Sequence, residues 1–149
     1  RVLNVNLRGP VFLARSVARE MIWMKEKVKD YRPSIMFVTS FLTYTSFTHA
    51  AEVCVSKAGL SMAAQIFADR LAEEGINVYE IRPGLIETEL TTRGKYKFDK
   101  LVAEGLIPQK RWGTPGDVAK AVASLARGDW AYSAGTIFEV SGGMNIRSI

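Results

Sequence analysis

Apolar side chains at Leu3, Leu7, Val11, Ala14, Val17, Ala18, Met21, Ile22 and Met24 fall at helical spacing, so residues 1–29 read as one helix, interrupted at Gly9-Pro10. Ser34 to Ser40 is a short, nearly continuous apolar run, the pattern of a strand buried on both faces of a parallel sheet. Val53 to Glu74 returns to helical spacing and closes at Gly75. It carries two adjacent stripes, Ala58/Met62/Ile66 and Ala63/Phe67/Leu71. One covers the sheet; the other is free to meet a second subunit. Ile76 to Ile81 reads as a strand ended by a turn at Arg82-Pro83-Gly84. From Leu85 to Gly113 the pattern predicts no long regular element, only a short amphipathic piece around Phe98-Leu101-Val102. Thr114-Pro115-Gly116-Asp117 combines an N-cap, a first-turn proline and an acid three residues after the cap, opening a helix to Ala126. Thr136 to Val140 is a last strand, followed by a Ser141-Gly142-Gly143 turn. The order is helix, then strand-helix-strand-lid-helix-strand, an α/β arrangement around a parallel sheet in three layers.

A chain of 149 residues with 48% hydrophobic content suits one compact domain, and no second domain is indicated. One cysteine, Cys54, excludes an internal disulfide, and one histidine, His49, leaves no His/Cys cluster for a structural zinc site, so no metal is expected. A reducing cytoplasm is the default compartment. No apolar run approaches the ~20 residues of a membrane span. The net charge of +5 is divided between the end of the first helix and the segment 93–111. It lacks an interleaved aromatic platform, which argues against a nucleic-acid partner.

The candidate chemistry gathers around Glu52 to Ser61. Positions 53 and 57 lie one turn apart on the same helical face. A tyrosine at 53 would set a phenol beside the Lys57 ammonium, lowering the phenol pKa into the range of a general acid/base. The residue there is Val53, which can do no proton chemistry. Ser40 ends a parallel strand, where residues face the ligand crevice of open α/β sheets. Pro10 has no N–H, so the carbonyl of Asn6 lacks its ordinary helical donor and needs another partner, water or a packing kink. The long segment after Gly84 exceeds the ~12–15 residues usual for plain loops and reads as a substrate-covering lid.

Taken together, Val5-Asn6-Leu7, Val38-Thr39-Ser40, Val55-Ser56-Lys57-Ala58-Gly59, Arg82-Pro83-Gly84-Leu85-Ile86-Glu87-Thr88, Arg111-Trp112-Gly113-Thr114-Pro115 and Ser141-Gly142-Gly143 resemble the carboxyl-terminal half of the short-chain dehydrogenase/reductase family. Within it they resemble the 3-ketoacyl-acyl-carrier-protein reductase-like members. The resemblance covers the whole chain. It implies the Rossmann-like half-domain that carries an Asn, Ser, Tyr, Lys tetrad, which transfers hydride between NAD or NADP and a carbonyl or alcohol. Asn6 then matches the residue whose main-chain carbonyl holds a relay water. Ser40 matches the residue that hydrogen-bonds the substrate oxygen, and Lys57 the lysine that holds the nicotinamide ribose. Pro83, Gly84, Ile86 and Thr88 match the segment that cradles the nicotinamide.

Two departures follow from the resemblance. Val53 stands at the tyrosine position, so carbonyl reduction should be impaired. No Gly-rich turn after a strand is present, so residues 1–149 are expected to be a partial domain without the amino-terminal dinucleotide-binding half and to bind the cofactor weakly or not at all. The partners implied are a small ketone, alcohol or 3-ketoacyl thioester, with an acidic acyl carrier protein as the candidate to meet the basic lid, and a second copy through the helices at 1–29 and 53–74. The alternative is a non-catalytic relative or remnant that senses the cofactor or assembles with an active partner.

Overall fold

The computed structural model describes residues 1–92 and 94–146, apart from the side chain of Lys97. The chain opens on a π-helical turn, Asn4–Arg8, that runs without a break into helix α1, Gly9–Lys27. The interruption expected at Gly9-Pro10 is therefore absorbed and not made. The proline ring would clash with the carbonyl four residues earlier in an α-turn, and one extra residue in the turn widens it. Gly9 N–H closes that turn on the Asn4 carbonyl.

Strand β1, Ser34–Val38, is joined by two short 3-10 turns to helix α2, Ala51–Ala72. Strand β2, Asn77–Pro83, leads to the short helix α3, Glu89–Thr92, then to α4, Lys95–Ala103, α5, Pro115–Ala126, and strand β3, Ile137–Val140. All three strands are parallel in the order β1-β2-β3, with Ser34 opposite Asn77 and Glu80 opposite Ile137. One face is covered by α1 and α2, where Ala14, Ala18, Phe37, Leu60, Ala64, Leu71 and Val78 form the larger core. On the other, Tyr79, Ile81 and Leu125 pack with Val118 and Val122 of α5. This is the expected three-layer α/β arrangement.

Of the boundaries that differ from the sequence expectation, four bear on the site. β1 stops at Val38, because the Thr39 side chain turns inward to a buried carboxylate and Ser40 begins the following turn. β2 continues through Pro83, since Gly84 N–H takes over the pairing that proline cannot make and donates to Val140 O at 3.0 Å. α2 starts at Ala51, two residues early. The segment 85–113 holds α3 and α4 where no long element was expected; α4 extends the amphipathic piece around Phe98. The start of α5 agrees with expectation: Thr114 and Asp117 form a reciprocal capping box.

On α2 the two stripes diverge as the pattern requires. Leu71 is buried, whereas Met62 and Ile66 are 56% and 62% exposed. At the far end of the pair, Lys25 Nζ donates to the Glu74 and Gly75 carbonyls at 2.6 and 3.0 Å, satisfying acceptors that the end of α2 leaves free.

Candidate active site

Gly59 decides how the first turn meets α2. A Cβ there would lie 3.0 Å from Leu7 Cδ2, so the missing side chain lets Leu7 seat on the helix. This brings Asn6 alongside Ser56, and Asn6 Nδ2 donates to Ser56 Oγ at 3.3 Å. Ser56 is fully buried and its hydroxyl donates in turn to the Val53 carbonyl at 2.8 Å. Asn6 and position 53 are thus linked through one hydroxyl.

One turn further along, Lys57 Nζ reaches the carboxyl end of β1 and donates to the Val38 carbonyl at 3.0 Å. Burial lowers its pKa from the ordinary lysine value, and among the described residues no carboxylate offsets that effect. Ser40 follows Val38 by two residues; its Oγ accepts from Leu42 N–H at 3.2 Å, capping the turn Phe41–Thr43. Lys57, Ser40 and the half-buried Val53 are therefore brought to the same corner of the sheet, with Asn6 behind them.

Tyr44, the nearest tyrosine preceding α2, does not fill the place at 53. Its hydroxyl donates to Glu139 Oε2 at 3.3 Å, and its pKa is pushed up to about 12 by burial and then by the Glu139 charge. That shift opposes use as an acid/base near neutral pH.

The segment after β2 packs close to the turn after β3. A Cβ at Gly84 would meet Ser141 Cα at 2.8 Å and Met144 Sδ at 3.0 Å, so only glycine permits the approach. Ile86 forms a parallel bridge with Gly113, which returns the lid to the sheet edge. Thr88 accepts main-chain bonds from Thr91 and Thr92 and so starts α3. Pro83, Gly84, Ile86 and Thr88 thus form one continuous ledge beside the carboxyl ends of β2 and β3. The lid above it is held by aromatic contacts: Phe98 lies 6.4 Å from Phe47 and 6.3 Å from Trp112, ring centre to ring centre. Asp99 accepts from both Lys95 Nζ, at 3.0 Å, and Trp112 Nε1, at 2.8 Å.

Sequence reasoning passed over a charged group under the Ser40 corner. Glu80, 2% exposed in the middle of β2, receives Thr39 Oγ1 at 2.5 Å and Ser61 Oγ at 2.8 Å. Arg82 grips the same carboxylate with Nε at 2.7 Å and Nη2 at 3.2 Å, and extends Nη1 to Glu139 Oε1 at 3.5 Å. Burial works against the Arg82 charge, but Glu80 and then Glu139 outweigh it and raise its pKa. The signal was present in the sequence: opposite charges two residues apart share one face of a strand.

Three parallel strands with helices on both faces make this an open, Rossmann-like α/β half-domain. A family model described as enoyl-(acyl carrier protein) reductase matches residues 1–145, and the chain belongs to the short-chain dehydrogenase/reductase family as a 3-ketoacyl reductase-like, carboxyl-terminal half. It is 32% identical over 145 residues to the (3R)-3-hydroxyacyl-CoA dehydrogenase of Canis lupus familiaris, covering 97% of this chain and 53% of that protein. It is 31% identical over 149 residues to the 3-oxoacyl-[acyl-carrier-protein] reductase MabA of Mycobacterium bovis, covering 98% of this chain and 56% of that one. Among solved structures, the Brucella melitensis 3-oxoacyl-[acyl-carrier protein] reductase in complex with NAD superposes with a TM-score of 0.93 at 37% identity. That match covers 99% of this chain and 57% of the other. A putative 2-deoxy-D-gluconate 3-dehydrogenase of Agrobacterium tumefaciens with bound NADP superposes with a TM-score of 0.84 at 30% identity, covering 97% and 57%. The chain spans about half the length of the curated relatives it matches. No helix among the described residues is long and apolar enough to cross a membrane.

Proposed function

We propose that residues 1–149 are the carboxyl-terminal half of an oxidoreductase that moves hydride between NAD or NADP and the carbonyl or alcohol of a small ketone or 3-ketoacyl thioester. The amino-terminal half would supply the dinucleotide-binding turn, and this half alone binds the cofactor weakly or not at all. In this reading Ser40 donates to the substrate oxygen and Lys57 holds the nicotinamide ribose. The Asn6 main chain anchors a relay water, and Pro83, Gly84, Ile86 and Thr88 line the nicotinamide. The bound nicotinamide supplies or accepts the hydride. The residues present suit that cofactor end: the Lys57 ammonium, desolvated and without a carboxylate partner among the described residues, spends one donor on the Val38 carbonyl and keeps others for ribose hydroxyls.

The observation that carries the reading is the Lys57 ammonium at the end of β1, 3.0 Å from the Val38 carbonyl and two residues before Ser40. Val53 removes the proton donor from that corner. General acid/base groups contribute roughly 10²–10⁴-fold, so Val53→Tyr in the full-length protein should raise turnover on a ketone or 3-ketoacyl thioester by about that factor. Unchanged turnover with either cofactor would overturn this account of the defect. The same valine favours a second reading, a non-catalytic relative that binds the cofactor without turnover. Saturable NADH or NADPH fluorescence in an inactive full-length Val53→Tyr protein would select it.

The outward stripe of Met62 and Ile66, with Phe12 and Leu13 exposed on α1, supports self-association through α1 and α2. Sedimentation of the full-length protein before and after Ile66→Glu tests it. For an acidic carrier the support is thinner, since Lys95 is already engaged by Asp99, and Lys97 lies outside the described side chains. Carrier-linked turnover unchanged by charge reversal at Lys95 and Lys97 would remove that partner.

A further inference from the structure

Two parts of the Ser40 corner meet at a single buried carboxylate. Thr39, which immediately precedes Ser40 and is 3% exposed, gives its hydroxyl to Glu80 Oε1. Ser61, one turn beyond Lys57 on α2, gives its hydroxyl to Glu80 Oε2. Arg82 binds both Glu80 oxygens and also donates Nη2 to Ser61 Oγ at 2.8 Å. The guanidinium then stacks over the Tyr44 ring, 5.5 Å from its centre, while Glu139 holds the Tyr44 hydroxyl. The turn that begins at Ser40 is thus pinned at the residue before it and at the fourth residue after it. Ser40 itself is extended, with φ −175°, and lies between these two anchors.

A buried ion pair is poor evidence of added stability, because desolvation offsets the attraction, and apolar residues of equal volume often do as well. Its use here is directional. Hydrogen bonds with fixed geometry locate the segment leading into Ser40 and the helix bearing Lys57 against the same two oxygens, which apolar packing cannot do with that precision.

We propose that Glu80, Arg82 and Glu139 act together as positioning residues that set the Ser40 hydroxyl relative to Lys57 and keep Tyr44 turned away from position 53. The inference rests on the role given to Ser40 above. None of the three touches the reacting atoms; each acts through Thr39, Ser61 or Tyr44.

The test uses the full-length protein with Glu139→Gln, which keeps the shape and a hydrogen-bonding group, and Arg82→Lys, which keeps a cation beside Glu80 so that the chain folds but removes the bidentate fork. Hydrogen exchange should quicken selectively at the Leu42, Thr43 and Tyr44 amides, with the β2 and α2 amides unchanged. Uniform acceleration across the sheet, or none at the turn, would overturn the proposal. In a Val53→Tyr background that turns over, both changes should lower kcat by about 10- to 100-fold, the scale of a misplaced catalytic geometry, with KM for ketone and cofactor within about twofold. An unchanged kcat would also overturn it. If Val53→Tyr shows no turnover, the reading of the site fails by itself, and the exchange pattern still decides whether these three residues hold the turn.

Discussion

The wall of the corner formed by β2, β3 and α2 and the lid at 85–113 are both rich in charge, yet they are built on different physics. In the wall, Glu80 is almost wholly withdrawn from water and each oxygen has two donors. In the lid, Lys95, Asp99, Lys100 and Glu104 pair near the surface, where water and salt screen them. The wall is fixed because any displacement strands a buried charge. The lid is free to reorganise, because its pairs cost little to break and its anchor is aromatic. A substrate pocket between them would thus have one rigid side and one adaptable side.

The sharpest way to break the contrast is Arg82→Met. It leaves Glu80 buried without its cation and should cost about 3–5 kcal/mol in denaturant unfolding. A cost near zero would mean that water reaches Glu80. Next in size is Thr114→Ala, which removes the N-cap of α5 and should cost about 1 kcal/mol, since that helix is held by its cap and one apolar face.

Lys57 gives a pH signature. Folding lowers its pKa, so between the lowered value and 10.5 the unfolded chain binds more protons, and stability should rise with pH through that window. Lys57→Met should flatten the rise relative to wild type in urea midpoints taken across alkaline pH. A parallel profile in both proteins would mean the ammonium is hydrated. The smallest effect belongs to the lid: Asp99→Asn should leave the global midpoint unchanged while altering Trp112 fluorescence, and a large midpoint loss would show that the lid shares the wall's rigidity.

How far these parts could be read from sequence follows the same division. The strand and helix order was legible because continuous apolar runs and Gly/Pro punctuation report burial directly. The capping box at Thr114 and Asp117 was legible because it is local. The convergence of Lys57 and Ser40 came only through family resemblance, since contacts across nineteen positions leave no periodic trace. The wide turn at Asn4–Arg8 escaped because a proline announces a conflict without saying how the chain resolves it. For Glu80 the sequence shows only half of the network: the opposite charge at Arg82, two residues on, is local, but the hydroxyl donors Thr39 and Ser61 belong to other elements and leave no trace in the strand. The extension of β2 through Pro83 depended on a neighbour's carbonyl, that of Val140, which no property of β2 could reveal.

The doubly gripped carboxylate in β2 also constrains how this chain can change over generations. Replacing either Glu80 or Arg82 singly must cross a deep stability valley, whereas exchanging both at once for apolar residues of matched volume is close to neutral. The two positions should therefore be inherited as a linked pair, present together or lost together, and lineages retaining just one of them should carry a compensating charge within reach of Ser61.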